Sequence, residues 1–132
     1  MGMEMPQDRE LVEQWRSIQS AYFRTAGAID RELEARFKIG LNEFEILDLV
    51  ADTADEHCRM KQLGERTPMT QSALSKVVDR LQKAGLVTRQ SCADDRRSLM
   101  LELTDQGRAL HEAAAVAHRA LLHENLQRLA AL

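Results

Sequence analysis

Thr70-Gln71-Ser72-Ala73-Leu74-Ser75-Lys76-Val77-Val78-Asp79-Arg80-Leu81-Gln82-Lys83-Ala84-Gly85 is two-sided at helical spacing. Leu74, Val77, Val78 and Leu81 fall on one face and Ser72, Lys76, Asp79 and Lys83 on the opposite one, which predicts an amphipathic helix. Thr70 suits the N-cap, because its hydroxyl can accept from a backbone N–H that the first turn leaves free, and Gly85 supplies the stop. Upstream, Thr67-Pro68-Met69 makes a tight connection, and a short helix opening with Met60 and Leu63 must end before Pro68. Downstream the period changes. Leu86-Val87-Thr88-Arg89-Gln90 and Ser98-Leu99-Met100-Leu101-Glu102-Leu103 read as two strands around a polar tip, Ser91 to Arg97. Helix, tight turn, amphipathic helix, glycine and β-hairpin, in that order, make a winged helix-turn-helix, in which the second helix lies in a major groove.

Each part has a chemical counterpart. A recognition helix needs hydrogen-bonding side chains at its outward N-terminal positions, and these are Gln71, Ser72, Ser75 and Lys76, with Thr70 at the cap. Arg80 and Lys83 lie further along and are read as touching phosphate or nothing. The hairpin tip carries Asp94-Asp95-Arg96-Arg97. An arginine there can enter a narrow, electronegative minor groove, and a neighbouring carboxylate can brace its guanidinium.

The flanks are helical. Leu11, Trp15, Ile18, Tyr22, Ile29, Leu33 and Phe37 form a stripe on a long first helix, expected to stop near Ile39-Gly40 with Gly40 as a left-handed cap. Asn42 with Glu45 resembles a capping box for a second helix that buries Leu41, Phe44, Leu47 and Val50. Asp52 to His57 reads as a turn. Thr104 caps a last helical stretch running to Leu132, with Leu110, Ala114, Ala117 and Leu121 as its stripe. The expected architecture is mostly α with a small β-hairpin wing in a single domain over 1–132. Residues 7–39 and 104–132 form dimerisation helices, and 42–103 form the winged helix-turn-helix lobe.

Composition bounds the function. A chain of 132 residues, 44% hydrophobic and 30% charged, fits one soluble globular domain rich in helix. It has no apolar run long enough for a membrane span and no apolar signal core at its start, so no membrane partner is expected and the cytoplasm is the expected location. The net charge of −3 is segregated: nine basic and four acidic residues give Cys58 to Met100 a charge of +5, and the flanks together carry −8. One module is poised to meet phosphate, and its flanks to avoid it. Cys58 and Cys92 are read as free thiols, Cys58 in the core and Cys92 exposed in the hairpin tip without a resolving cysteine beside it. No Gly-rich phosphate loop, nucleophile motif or metal-ligand set is present, so neither enzymatic activity nor a cofactor is expected.

The run from Ser72 to Leu81, then Lys83-Ala84-Gly85-Leu86-Val87-Thr88-Arg89, Asp95-Arg96-Arg97 and Leu103-Thr104-Asp105-Gln106-Gly107 resembles the MarR (multiple antibiotic resistance regulator) family of bacterial transcription factors. The resemblance implies a homodimer whose first and last helices interlock, with Asp95 as the brace, Arg97 in the minor groove and Arg96 on phosphate. The chain departs from the family's pattern in two places. Only 28 residues follow Thr104, so a sixth helix is short, fused to the fifth or missing, and Gly64 stands where alanine is usual.

Trp15 and Tyr22 are most simply core or dimer seam. The functional alternative is a ligand pocket, because the family binds small aromatic anions between the dimer-forming helices and the DNA-binding lobe, and a first-helix tryptophan is similar to the urate-responsive subgroup. His57, His111, His118 and His123 could suggest zinc, as in the family's metal-sensing branch. His111 and His118, seven residues apart on one face, stand about 10 Å from each other. That is too far for one ion without ligands from other helices, so structural or surface histidine is the stronger reading. The expected function is that of a sequence-specific DNA-binding regulator, a repressor released from an inverted-repeat operator by a small aromatic or anionic effector. The alternative is a winged-helix protein-interaction module without DNA binding.

Overall fold

Pro6 opens the first helix because its missing N–H is one that the first turn would leave unpaired, and Asp8 Oδ2 reaches back to accept from the Met5 N–H at 3.1 Å. In the computed structural model, which describes residues 5–53, 58–91 and 99–130, this helix α1 runs 32 residues, Pro6–Phe37. It is followed by α2 (Leu41–Ala51), β1 (Cys58–Arg59), α3 (Met60–Arg66), α4 (Gln71–Lys83), β2 (Val87–Ser91), β3 (Leu99–Leu103) and α5 (Asp105–Ala130). The element order is that of a winged helix between two long helices.

The turn from α1 to α2 differs from the sequence expectation. Lys38, not Gly40, takes the left-handed cap conformation, with φ 61°. Gly40 is extended, and a Cβ there would stand 2.7 Å from a Glu43 carboxylate oxygen and 3.1 Å from Asp30 Oδ1, side-chain ends that a small shift could move aside. The α2 helix starts at Leu41, one residue before the Asn42 box, and no side chain of its own caps it. Asp30 of α1 does so from a distance, accepting from the Leu41 N–H at 2.9 Å. An acceptor supplied from eleven residues away has no local signature.

The strands form an antiparallel sheet of order β1-β3-β2, with Arg89 opposite Leu101 and Val87 opposite Leu103. The β1 strand was not expected from sequence. Two residues are too short for a period-2 pattern, and Cys58 joins the sheet only because Leu101 is there to pair with it.

The core gathers Phe44, Ile46 and Leu47 of α2, Leu63 of α3, Leu74, Val77, Val78 and Leu81 of α4, Val87 and Leu101 of the sheet, Ile29 and Leu33 of α1 and Ala114 of α5. Gly64 is exposed and has open space around it, so α3 is held by Leu63 and not by propensity. The stretch after Thr104 is one unbroken helix through Ala130. The first half of α1 does not bury the stripe read from its sequence: Ala21 and Thr25 face inward, while Leu11, Trp15, Ile18 and Tyr22 are exposed. No helix among the described residues is long and apolar enough to cross a membrane.

Candidate nucleic-acid interface

The α4 helix is fixed on its inner side by Leu74, Val77, Val78 and Leu81, all buried, which turns the other side outward. Thr70 caps it, its Oγ1 accepting from the Ala73 N–H at 3.1 Å, and Gly85 follows it at φ 78°, where a Cβ would be strained. Gln71, Ser72, Ser75 and Lys76 are exposed on its first two turns. Among the described residues their side chains have no hydrogen-bond partner, and Gln71 and Ser72 stand in the first turn, at the positive end of the helix dipole, the end suited to an anionic partner. Thr67 Oγ1 accepts from the Met69 N–H at 3.2 Å in the turn that leads into α4.

Two cations of this region are already engaged. Arg80 Nη1 lies 3.2 Å from Glu43 Oε1 of α2, and Arg89 Nη2 of β2 is bonded to Asp79 Oδ1 of α4. The Asp79–Arg89 pair had no sequence signal beyond the two charges, because a contact between a helix and a strand depends on how the two are packed. Asp95, Arg96, Arg97 and Cys92 lie outside the described residues, as does His57.

The lobe is joined to α5 by a polar cluster. Asp48 Oδ1 of α2 is 2.7 Å from His111 Nε2 and 2.8 Å from Arg119 Nη2. Burial alone would push the Asp48 carboxyl up, but the hydrogen bonds from Arg119 and His111 outweigh it and hold the carboxyl below its ordinary range. His118 is buried, with its ring centroid 4.6 Å from that of Phe44 and its Nδ1 2.9 Å from Arg119 Nη1. Burial, then the Arg119 charge, depresses its basicity. Among the described residues no group of three His, Cys, Asp or Glu side chains is placed to hold a metal ion. Burial raises the Cys58 thiol, which makes it a poor nucleophile.

Trp15 and Tyr22 are 58% and 63% exposed, so the core reading of these residues is excluded within the single chain. Tyr22 packs edge-on against Phe23, at 5.6 Å between ring centroids.

Residues 37–98, nearly all of this lobe, match the model of the MarR family. The repressor YetL of Bacillus subtilis is 32% identical over 81 residues, 60% of this chain and 48% of YetL, so the chain spans about half the length of that relative. The regulator PecS of Dickeya dadantii is 28% identical over 116 residues, 76% of this chain and 70% of PecS. Sco3205 of Streptomyces coelicolor, a MarR family regulator solved in complex with DNA, superposes with a TM-score of 0.83 at 26% identity, covering 97% of this chain and 79% of the other. With the matched lobe folded as a winged helix and the long helices on either side superposing as well, the chain resembles MarR family regulators in both sequence and fold.

Proposed function

We propose that this protein is a sequence-specific DNA-binding transcriptional regulator that works as a homodimer in the cytoplasm and has no enzymatic activity. The observation that carries this reading is the exposed polar start of α4, held in a fixed direction by a buried apolar face. The similarity to a protein solved with DNA supports it. Thr70, Gln71, Ser72, Ser75 and Lys76 are the proposed groove residues and Arg80 a phosphate contact. In the wing, Arg97 is proposed for the minor groove, braced by Asp95, with Arg96 on phosphate. Residues 42–103 form the DNA-binding lobe, and residues 7–39 and 104–132 the dimerisation helices.

Repression is the proposed mode, in line with the name of YetL. Release by a small aromatic or anionic effector bound near Trp15 and Tyr22 completes the reading. Trp15 is the sole tryptophan, so binding there should change the intrinsic fluorescence. The effector must also weaken DNA affinity by the factor by which DNA weakens effector affinity.

The test is binding to duplex DNA carrying the promoter beside the protein's own gene. Ser72→Ala and Lys76→Ala should alter base preference, by about 1–3 kcal/mol where a good contact is lost. Arg97→Ala should weaken all sites and flatten the salt dependence. Failure to bind any duplex at low salt would favour a protein-interaction module instead.

A further inference from the structure

The β2 strand alternates, so Val87 and Arg89 leave it on the same side. Val87 is buried in the core, and that side of the strand is therefore the side on which α4 lies. Arg89 follows it inward: its side chain is 26% exposed, its Nε is buried without a hydrogen-bond partner among the described residues, and its Nη2 is bonded to Asp79 Oδ1. Asp79 is the only carboxylate in α4, and it stands on the outward face one turn beyond Ser75 and Lys76. A carboxylate left free there would repel phosphate. A basic residue on the wing's first strand would, by charge alone, be assigned to phosphate itself.

We propose that Asp79 and Arg89 form a positioning pair that holds the first wing strand against the recognition helix and neutralises that helix's single carboxylate, so that Arg89 is an internal brace and not a phosphate contact. The inference rests on the DNA-binding reading above and adds to it the device that sets the angle between its two contacting elements. Three features favour the brace. The guanidinium is committed to a carboxylate of another element, its stem is covered, and its strand is anchored on both sides of Arg89, through Val87 opposite Leu103 and Ser91 opposite Leu99. By contrast, Arg80 is 62% exposed in its own pair with Glu43 and can be drawn away by phosphate at little cost.

Simple electrostatics and the brace predict opposite signs. Removing the negative charge of Asp79 should tighten DNA binding if the carboxylate only repels phosphate. Under the brace, Asp79→Asn weakens binding about fivefold, the scale of one well-formed partly exposed ion pair. Arg89→Gln weakens it by a similar factor and leaves the slope of log affinity against log salt unchanged, whereas loss of a phosphate contact would reduce that slope by about one. The Asp79→Asn/Arg89→Gln double variant loses no more than the worse single variant, since both remove one interaction.

The experiment measures these three variants and the wild type on a duplex that the wild type selects from a random pool, across a salt series. Alongside it, amide hydrogen exchange over Val87–Ser91 is followed in the free protein. Faster exchange in each variant, not additive in the double, together with weaker binding at constant slope, is the expected result. Tighter binding by Asp79→Asn, or a slope lowered by about one in Arg89→Gln with exchange unchanged, overturns the pair. If the wild type selects no duplex, the DNA-binding reading has failed; the exchange arm still decides the brace, and rates equal to wild type in all variants overturn it.

Discussion

His118 carries the clearest residue-level consequence. Its Nδ1 accepts from the Arg119 guanidinium, which only a neutral imidazole can do, and it sits buried against Phe44 with Arg119 and His111 on its own helix and Asp48 facing it from α2. Burial and the Arg119 charge lower its pKa in the folded state, against a weaker opposing pull from Asp48. Below about pH 6.5, the ordinary histidine value, the unfolded chain therefore takes up a proton that the folded chain refuses. The stability contributed by neutral His118 is complete above that pH and is lost as the pH falls towards the folded-state value. His118→Gln should remove this contribution. The wild type should lose more stability than the variant between about pH 7.5 and 5.5, measured as the shift in urea midpoint; parallel losses would show that His118 does not titrate this way.

Among the elements, the junction of the wing with α5 leaves least room. Thr104 ties the two together: its Oγ1 donates to the Gly85 carbonyl at 2.6 Å and accepts from the Gly107 N–H at 2.9 Å, while its own N–H donates to the Leu86 carbonyl at 3.0 Å. The α5 helix starts so close to the Gly85 turn that a Cβ on Gly107 would lie 2.0 Å from the Leu86 carbonyl oxygen. The obstacle is backbone, which cannot swing aside as a side chain would. Gly107→Ala should therefore destabilise the protein by at least about 1–3 kcal/mol, the usual cost of overpacking, although alanine is the better helix former. Thermal unfolding followed by circular dichroism checks this, and an unchanged or raised midpoint would mean that α5 does not approach the turn so closely.

For the whole molecule, the unmatched feature is the apolar surface on the first half of α1. Leu11, Val12, Trp15, Ile18, Tyr22 and Phe23 are exposed there, and Val116 of α5 is 74% exposed. A patch of this kind in a monomer would be a liability in water, and burial against a second copy would remove it. Sedimentation should show a dimer at micromolar concentration. Ile18→Glu should dissociate it while leaving the chain helical, with an unfolding midpoint that no longer depends on protein concentration. A wild-type monomer at that concentration would also count against the proposed reading of an inverted repeat, which needs two recognition helices about 34–36 Å apart.

The sequence by itself determined the winged helix. Each element from α3 to α5 is announced locally, by the period of its apolar residues, by Thr70 and Thr104 at helix starts and by Gly85 at a positive φ, so short-range sterics and hydrogen bonding suffice to read it. The exposed side of α4 was legible for the same reason, because burying Leu74, Val77, Val78 and Leu81 leaves Ser72, Ser75 and Lys76 nowhere to face but outward. Tertiary structure alone decided which charges pair with which. Arg80 and Arg89 look alike in sequence, yet one pairs with Glu43 of α2 and the other, from β2, with Asp79 of α4. It also decided that Asp30 caps α2, that Cys58 joins the sheet, and that Trp15 and Tyr22 stand in the open. Periodicity says that a helix has an apolar face; only the packing of one helix against another says whether this chain or a second one covers it.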